Sequence, residues 1–298
     1  MEITFLGTSS MVPTKDRNVQ GIYLEYNGEG ILFDCGEGTQ RQMNIAGINR
    51  HKVKKIFISH WHGDHVSGLV GLIQTIGNSN NPGKLSIFGP KDTKEFMNNL
   101  LNSCIFDLRI ELEVFEFDLE KKDVVFECDD YFVEASPMTH GVPCLAYSFI
   151  ETDRRRMNSS KLKELGVVGV NIGKLQRGES VIVKNKTINP DDVSSILKGK
   201  KISFVFDTSL NDNISDLVEN SDLLIGEATY DSSKENKAEE YNHMTAEQMA
   251  FIASNSNVKK LVLTHFSQRY KTLHDLEKEA KDIFPNTVMA YDFLKLKI

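Results

Sequence analysis

An α/β domain is the fold class that this sequence predicts, and three observations support it. Short apolar runs typical of strands alternate with amphipathic stretches typical of helices along nearly the whole chain. The chain has 298 residues, of which 40% are hydrophobic, so it can bury a sizeable core. One of the apolar runs leads directly into a loop that is dense in histidine and aspartate.

The individual elements follow from this alternation. Strands are predicted at residues 3–6, 21–26, 30–34, 55–59, 84–88, 131–135, 145–150, 202–207, 223–227, 260–264 and 287–294. Helices are predicted at residues 39–45, 66–76, 93–101, 215–218, 245–253 and 273–283. Interleaved strands and helices favour one α/β domain over residues 1–298.

The charge is unevenly distributed along the chain. The net charge is −7, which argues against a protein coated in nucleic acid. Residues 151–200, however, hold 11 basic and 6 acidic residues, whereas the remainder holds 24 and 36. We interpret residues 151–200 as a basic arm inserted into the domain, with a short helix at 161–166 and a hairpin at 179–188 that turns near Asn185.

The sequence contains no pattern that indicates a membrane or secreted protein. No apolar run reaches 18 residues, and the start MEITFLGTSS lacks the charged and apolar regions of a signal peptide. The four cysteines, Cys35, Cys104, Cys128 and Cys144, show no CxxC spacing. We therefore expect a soluble cytoplasmic protein with reduced thiols and no membrane partner.

The segment 56–66, IFISHWHGDHV, carries the strongest chemical signal. His60 and His62 are two residues apart, so an extended chain places both rings on one side. A glycine then permits a tight turn before Asp64 and His65. Imidazole and carboxylate groups are ligands of zinc and similar divalent ions. Four residues of these types within six positions predict a metal site.

This HxHxDH pattern resembles the signature of the metallo-β-lactamase superfamily, and the resemblance extends along nearly the entire chain. The further residues are Asp34, His140, Asp207 and His265, each of which follows an apolar run. The resemblance implies an αββα four-layer sandwich with these residues at one sheet edge. It also implies that His60, His62 and His140 bind one metal ion, that Asp64, His65 and His265 bind another, and that Asp207 bridges the two. Asp34 would orient a ligand by a hydrogen bond, although a strand-end turn residue is an equal alternative.

Four further motifs are similar to those of the ribonuclease Z family of tRNA 3′-processing endonucleases. Residues 13–18, PTKDRN, match the PxKxRN loop, and residues 34–40 read DCGEGTQ as in the family. GEAT at 226–229 and HMT at 243–245 correspond to the HEAT and HST motifs, with Gly226 and Met244 as replacements. Phe206 stands where glycine usually precedes the bridging aspartate. The arm lacks the expected Gly-Pro segment, and GVVGV at 166–170 lies near its place.

This family resemblance implies a zinc-dependent endoribonuclease that removes the 3′ trailer from precursor tRNA by phosphodiester hydrolysis and leaves a 3′-hydroxyl. It implies two Zn²⁺ per subunit, or another divalent ion at the same ligands, and a homodimer whose arms help bind substrate at the partner's site. Asp64 is the expected general base. His243 is the expected proton donor to the leaving 3′-oxygen, and Glu227 would orient it.

Charged side chains are the candidates for contacts with substrate phosphates. Near the cut these are Lys15, Arg17 and Arg269. On the arm they are Arg154, Arg155, Arg156, Lys174 and Arg177. A solvated surface charge is the alternative for any of them.

Two other functions remain open. A superfamily phosphodiesterase or arylsulfatase acting on small substrates would share every metal ligand but would not require the arm. A nucleic-acid-binding scaffold without activity would be expected to lack ligands, and none is missing from this sequence.

Overall fold

The structure, a computed structural model, describes residues 1–80 and 82–298. Its strands are β1 (Glu2–Gly7), β2 (Ser9–Ser10), β3 (Gly21–Tyr26), β4 (Glu29–Phe33), β5 (Val53–Phe57), β6 (Lys84–Pro90), β7 (Glu111–Phe117), β8 (Asp123–Glu127), β9 (Tyr131–Pro137), β10 (Leu145–Glu151), β11 (Arg154–Met157), β12 (Val181–Val183), β13 (Lys186–Ile188), β14 (Ser194–Leu197), β15 (Lys201–Val205), β16 (Leu223–Glu227), β17 (Leu261–Thr264), β18 (Phe266–Ser267), β19 (Thr287–Met289) and β20 (Lys295–Lys297). Its α-helices are α1 (Thr39–Ile45), α2 (Gly63–Val66), α3 (Leu69–Gly77), α4 (Thr93–Asn102), α5 (Ser159–Glu164), α6 (Val170–Gln176), α7 (Pro190–Val193), α8 (Asp212–Val218), α9 (Glu235–Glu240), α10 (Ala246–Asn255) and α11 (His274–Ile283). Two 3₁₀ helices lie at Arg50–Lys52 and Ser232–Lys234.

The chain forms two compact units. The first comprises Met1–Glu127, Val133–Phe149 and Lys201–Ile298, and the second comprises Cys128–Phe132 and Ile150–Lys200. Among the described residues, no helix has the length and apolar character needed to cross a bilayer.

The first unit contains two seven-stranded sheets. One has the order β20-β1-β3-β4-β5-β6-β7, and the other has the order β19-β17-β16-β15-β10-β9-β8. Strands β4, β5, β6 and β7 run parallel, as do β15, β16, β17 and β19. Because parallel neighbours end at the same edge, loops that follow them in the chain come together there.

Aromatic side chains fill the space between the two sheets. Phe33 on β4 stacks on Phe204 of β15, with ring centroids 3.6 Å apart. Phe57 on β5 meets Tyr147 of β10 edge to face at 5.3 Å. The Tyr147 hydroxyl donates to the carbonyl of Ile58 at 2.7 Å, which ties β10 to the start of the histidine-rich loop. The shared aromatic layer thus sets the distance between the two sheets.

Helices cover the outer face of each sheet. Apolar residues of α1, α3 and α4, such as Met43, Leu72 and Met97, form one buried cluster with the first sheet. Residues of α8, α10 and α11, such as Leu217 and Met249, form another with the second sheet. The α/β class and the αββα four-layer order expected from the sequence are therefore confirmed.

A close backbone approach interrupts the helix predicted at residues 66–76. The structure has two helices there, α2 and α3, with Ser67 and Gly68 between them. The Gly68 amide donates to the carbonyl of Cys35 at 2.9 Å. A Cβ added at Gly68 would lie 2.2 Å from the carbonyl oxygen of Gly36. The prediction of one helix was wrong because the DCGEG loop packs directly against this backbone.

The predicted strand at 287–294 was also wrong in extent. Its residues lie in β19, which joins the second sheet, and in a turn that leads to β20 of the first sheet. The amide of Phe293 donates to the carbonyl of Phe5 at 2.7 Å, so the chain crosses from one sheet to the other at this point. Phe293 has a φ of 72°, which ends any extended run.

The second unit has a small core of its own. β11 pairs with β14, and β12 forms a hairpin with β13. Lys184 and Asn185, at φ 50° and 61°, make the turn of this hairpin, as predicted. The predicted short helix is α5, two residues earlier than expected. The core residues are Leu162, Val167, Leu175, Val181, Ile188 and Val193.

The contact between Gly68 and the DCGEG loop yields a prediction for stability. Gly68→Ala should lower the free energy of unfolding by about 1–3 kcal/mol, because a backbone carbonyl cannot yield to the new methyl group. Gly71→Ala is the matched control in α3, where the added Cβ meets only the Gln40 Oε1 atom at 3.7 Å. That variant should be neutral or more stable by about 0.5–1 kcal/mol. Urea unfolding followed by circular dichroism measures both, and equal destabilisation would contradict the account.

Candidate metal centre and active site

The functional side chains of the first unit come from loops at the ends of parallel strands. Asp34 follows β4, and His60 lies three residues after β5. Asp207 and His265 follow β15 and β17, and Glu227 is the last residue of β16. Four of these five side chains are fully buried, and Asp207 is 4% exposed. The parallel registers therefore bring residues that are distant in sequence to one edge.

Three histidines and one aspartate form the first ligand group. His60, His62, His140 and Asp207 have donor atoms that all lie within 4.8 Å of one another. His62 Nδ1 is 2.9 Å from His60 Nε2 and 3.2 Å from His140 Nε2. Asp207 Oδ2 is 3.6 Å from His60 Nε2. The three imidazoles thus point nitrogen atoms at one small volume.

The second ligand group consists of Asp64, His65 and His265. Asp64 Oδ2 lies 3.4 Å from His65 Nε2 and 3.6 Å from His265 Nε2. The other oxygen of Asp207, Oδ1, lies 3.5 Å from His65 Nε2 and 3.1 Å from His265 Nε2. Asp207 therefore directs one carboxylate oxygen at each group. All seven predicted ligand side chains come together in this arrangement.

The chemistry of this donor set fits divalent metal ions. His65 Nε2, His265 Nε2 and Asp207 Oδ1 are buried and have no hydrogen-bond partner among the residues that the structure describes. Burying a polar atom without a partner is costly, and a metal ion satisfies such atoms. Imidazole nitrogen together with carboxylate oxygen is a ligand combination typical of zinc.

A second layer of hydrogen bonds fixes the orientation of the histidine rings. Asp34 Oδ2 accepts a hydrogen bond from His65 Nδ1 at 2.7 Å, which leaves Nε2 facing the cluster. The carbonyl of Asn242 accepts from His140 Nδ1 at 3.0 Å. Each ring thus uses one nitrogen for the protein and presents the other to the centre. The hydrogen bond expected of Asp34 is present in the structure.

Two hydroxyl groups in this layer were not predicted from the sequence. Ser59 Oγ donates to Asp34 Oδ2 at 2.8 Å and lies 3.0 Å from His60 Nδ1. Thr229 Oγ1 donates to Glu227 and lies 3.1 Å from His265 Nδ1. A hydroxyl directly before the first histidine of the loop, and one two residues after Glu227, are the sequence signals that could have identified them.

Two residues at the site have strained backbones. Asp34 and His265 both have a φ of 60°, in the left-handed region that non-glycine residues seldom adopt. Asp34 is held there by the Ser59 amide, which donates to its Oδ1 atom at 2.7 Å. His265 is held by Thr229 Oγ1, which lies 3.1 Å from the His265 carbonyl oxygen. Strain at both positions is typical of a site whose geometry is imposed by its surroundings.

Burial and neighbouring charges shift the pKa values in opposite directions across the cluster. Burial lowers the pKa of His60 well below its ordinary value, and the charge of His65 adds to the effect. Burial also lowers the pKa of His65, but the carboxylates of Asp207, Asp34 and Asp64 outweigh it and raise the value well above normal. Burial raises the pKa of Asp64, yet His65 and His265 hold it below its usual range. The buried carboxylate groups are therefore stabilised by positive charge at the centre, which a metal ion would supply.

His243 lies beside the cluster and is paired with Glu227. His243 Nδ1 is 3.1 Å and 3.2 Å from the two carboxylate oxygens of Glu227, and its Nε2 is 3.9 Å from Asp207 Oδ2. Burial lowers the pKa of His243, but the carboxylates of Glu227 and Asp207 outweigh it and raise the pKa to about 9. The Glu227 carboxylate therefore fixes the Nδ1 side of the ring and leaves Nε2 directed at the cluster.

A cavity of about 420 Å³ opens above the cluster. Asp64, His140, Asp207 and His243 line it, together with Met11 and four other residues. The cluster is thus open to a ligand on this side, and both Asp64 and His243 face the space.

The three cationic residues expected near the cut do not share one cavity. Arg17 Nη2 donates to the carbonyls of Ser267 and Tyr270 at 3.3 Å and 2.9 Å, so this side chain clamps its loop to the His265 loop. Lys15 and Arg17 both line a separate cavity of about 240 Å³. Arg269 lines a cavity of about 620 Å³ that also contains His243. Arg269 therefore shares a cavity with a predicted catalytic residue.

The basic side chains of the second unit fall into two classes. Arg155 pairs with Asp191, and Arg177 Nε lies 2.9 Å from Glu179 Oε1, so these two are neutralised within the unit. Other cations are exposed and make no ion pair with any described residue: Arg154, Arg156, Lys163, Lys174, Lys184 and Lys186. Three of the five arm residues predicted to bind substrate, Arg154, Arg156 and Lys174, belong to this exposed class.

Two departures from the family motifs have a packing explanation. A Cβ on Gly226 would lie 2.5–2.7 Å from three atoms of the Met249 side chain. Met244, which stands in place of serine, is fully buried in the same apolar cluster as Met249. Gly226 thus leaves room for the Met249 side chain, and both methionines belong to one buried apolar cluster.

Comparisons with known proteins agree with this geometry. The family model described as Anti-Pycsar protein Apyc1 matches residues 1–160. A ribonuclease Z of Methanothermobacter thermautotrophicus is 42% identical over 300 residues, covering 100% of this chain and 97% of that protein. The crystal structure of human tRNase Z, short form, has a TM-score of 0.74 at 28% identity and covers 100% of this chain and 99% of that one. The metallo-β-lactamase fold protein YhfI of Bacillus subtilis has a TM-score of 0.71 at 17% identity over 99% of this chain and 98% of that one. The chain has the metallo-β-lactamase fold and belongs to the ribonuclease Z family.

Proposed function

We propose that this protein is an endoribonuclease that cleaves precursor tRNA at the 3′ side of the mature sequence and leaves a 3′-hydroxyl on the tRNA. The observation that carries the proposal is the pair of ligand groups that share Asp207, with the His243–Glu227 pair beside them and His243 lining the same cavity. The names of the full-length relatives supply the substrate class.

We propose Zn²⁺ as the metal, at two ions per subunit. His60, His62, His140 and Asp207 would hold one ion, and Asp64, His65, His265 and the other oxygen of Asp207 would hold the second. When bound, such ions withdraw charge from the scissile phosphate and make water nucleophilic at neutral pH.

Asp64 is suited to act as the general base. One of its oxygens, Oδ2, accepts a hydrogen bond from the Met11 amide at 2.7 Å and faces His65 and His265. The side chain also lines the cavity above the cluster. A carboxylate so placed can accept the proton of the attacking water while the backbone amide holds its orientation.

His243 is suited to protonate the leaving 3′-oxygen. Glu227 holds the Nδ1 side, so the Nε2 proton points into the site where the scissile bond would lie. Glu227 is fully buried, which strengthens its pairing with the imidazolium. Glu227 is therefore a positioning residue that acts through His243.

Two competing functions receive less support. A phosphodiesterase for small substrates would not need the unpaired cations of the second unit to bind its substrate. An inactive nucleic-acid-binding scaffold would not require a complete set of seven converging ligands or a buried Glu227–His243 pair.

The second unit is proposed to bind the tRNA backbone. Its exposed and unpaired cations suit phosphate contacts that do not read sequence. We further propose a homodimer in which the unit of one subunit serves the site of its partner. Cys104 and Cys128 are exposed free thiols, which supports a reducing cytoplasm as the working compartment.

Cleavage of a 3′-extended precursor tRNA tests the proposed function directly. The protein with zinc should release the trailer in one piece, and the tRNA product should end in a 3′-hydroxyl when both new ends are mapped. Asp64→Ala should abolish the reaction, since it removes the proposed base and a proposed ligand. Progressive shortening from the 3′ end, or products ending in a 3′-phosphate, would contradict the proposal.

The role of His243 predicts a separation of rate from metal content. His243→Ala should bind metal as the parent does and lose about 10²–10⁴-fold in kcat, the usual contribution of general acid catalysis. His51→Ala, at an exposed histidine remote from the cavity, is the matched control and should be unchanged. Loss of metal in His243→Ala, or an unchanged kcat, would rule out the proton-donor role.

The exposed cations of the second unit predict a salt effect on binding. Replacing Arg154, Arg156, Lys174 and Lys184 by glutamine should flatten the plot of log affinity for precursor tRNA against log salt by roughly 3 units, if each contacts one phosphate. The matched control replaces four exposed lysines of the first unit, Lys94, Lys121, Lys278 and Lys297, by glutamine and should change the slope far less. Equal changes in the two variants would indicate general charge attraction only.

Mixing subunits tests the dimer arrangement with the same variant. Asp64→Ala subunits carry intact arms, and the four-glutamine subunits carry intact sites. In random mixed dimers one functional site forms in half of the molecules, so activity should recover to about a quarter of the parent value. No recovery, with mixed dimers demonstrated by mass, would exclude a shared arm.

A further inference from the structure

A second cavity adjoins the space above the metal ligands. It measures about 620 Å³ and shares the side chains of Ser10, Met11, Tyr241 and His243 with the 420 Å³ cavity. It contains none of the seven ligand residues. His243 and Tyr241 therefore stand on the boundary between the reaction site and a space large enough for a small organic group.

The lining of this cavity is aromatic and cationic. The ring of Tyr241 is 55% exposed and therefore accessible from this cavity. The guanidinium of Arg269 lies 4.9 Å from the ring centre of Tyr230 and is steadied by the Ser267 hydroxyl at 3.0 Å. Lys237 and Arg269 form no ion pair with any residue in 1–80 or 82–298. Flat rings and guanidinium planes with unpaired positive charge are the features that bind an unstacked nucleotide.

The turn that follows α9 fixes Tyr241 relative to the catalytic group. The amide of Tyr241 donates to the carbonyl of Lys237 at 3.1 Å, and the amide of His243 donates to the carbonyl of Ala238 at 2.8 Å. Between them Asn242 has a φ of 54°, and its carbonyl accepts from His140 Nδ1. Tyr241, the His140 contact and His243 are thus parts of one hydrogen-bonded turn.

The identity of the bond that breaks then determines which nucleotide occupies the cavity. A proton donor must lie within hydrogen-bond reach of the oxygen that leaves. Hydrolysis that leaves a 3′-hydroxyl breaks the bond between phosphorus and the 3′-oxygen, and that oxygen takes up the His243 proton. The nucleoside that carries this 3′-oxygen must therefore lie next to His243, on the side of the phosphorus opposite the attacking water.

We infer that the cavity lined by Tyr230, Tyr241, Lys237 and Arg269 receives the last nucleotide retained on the tRNA, with its base stacked on Tyr241. The inference rests on the proposed function, since it takes precursor tRNA as substrate and His243 as proton donor. Tyr241 is then a specificity residue, because its ring contacts a flat base only when one is present beside the scissile bond. The trailer then leaves on the other side of the cluster.

The test measures whether a change at Tyr241 and the loss of a base in the RNA have additive effects on kcat/KM. Three precursors are compared by kcat/KM: an unmodified one, one with an abasic site at the last retained nucleotide, and one with an abasic site at the first trailer nucleotide. Tyr241→Ala should lower kcat/KM for the unmodified precursor roughly 5- to 150-fold, the usual value of one stacked base. Tyr241→Leu, which keeps apolar bulk without a flat ring, should behave similarly and guards against a folding defect in the alanine variant.

The two losses should not add when they remove the same contact. With the abasic site at the last retained nucleotide, the parent and both Tyr241 variants should have nearly equal kcat/KM. With the abasic site in the trailer, the Tyr241 variants should remain as impaired relative to the parent as on the unmodified precursor. Phe251→Ala, at an exposed ring on α10 outside the cavity, is the matched control and should match the parent on all three.

Two results would overturn the inference. Coupling of Tyr241 to the trailer position would place the opposite nucleotide in the cavity, and full additivity at both positions would mean that no base stacks there. Failure of the parent to cleave the unmodified precursor is a different result, visible before any modified RNA is used. It would remove the proposed function, and the assignment of this cavity with it.

Discussion

The buried carboxylate of Asp207 is the interaction on which the site depends. Its two oxygens face two different groups of histidines, at 3.6 Å on one side and 3.1 Å and 3.5 Å on the other. A fully ionised carboxylate in such surroundings requires nearby positive charge. Asp207 can occupy this position only because β15 ends beside β16 and β10, with the Cys144 thiol donating to the Asp207 carbonyl at 3.3 Å.

The rest of the first unit holds its partners at fixed positions around this group. The aromatic layer between the sheets sets the distance from β4 and β5 to β15, and hence from His60 to Asp207. Hydrogen bonds from the ring nitrogens to Ser59 Oγ, Thr229 Oγ1 and the Asn242 carbonyl then orient the rings. Preorganisation of this kind means that little rearrangement is needed when charge develops in the reaction. Strain at Asp34 and His265 is the cost of this arrangement.

Much of the metal centre could be predicted because several of its ligand residues lie in one short segment of the sequence. His60, His62, Asp64 and His65 lie within six residues, and their types alone indicate a metal site. The more distant ligands required the family resemblance, since spacing along the chain cannot place two loops side by side. His140 is one such case, because its neighbours in space come from chain segments far from it in sequence.

Features that depend on backbone atoms or on long-range packing could not be predicted. The Asn242 carbonyl that orients His140 has no side-chain signature. The break at Gly68 arises from the carbonyl of Gly36, 32 residues earlier in the chain. Nor does a count of basic residues reveal that Arg155 is already neutralised by Asp191. The positive charge of residues 151–200 was therefore predictable, whereas the subset of its cations that form no ion pair with a described residue was not.

Anomalous X-ray diffraction at the zinc edge, from crystals of the zinc-loaded protein, would locate each metal ion relative to Asp207. The shared position of Asp207 predicts two peaks, one beside each ligand group and each within about 2.0–2.2 Å of an Asp207 oxygen. Their separation should be about 3.5–4 Å. A single peak at full zinc loading, or two peaks with Asp207 bound to only one, would contradict the account.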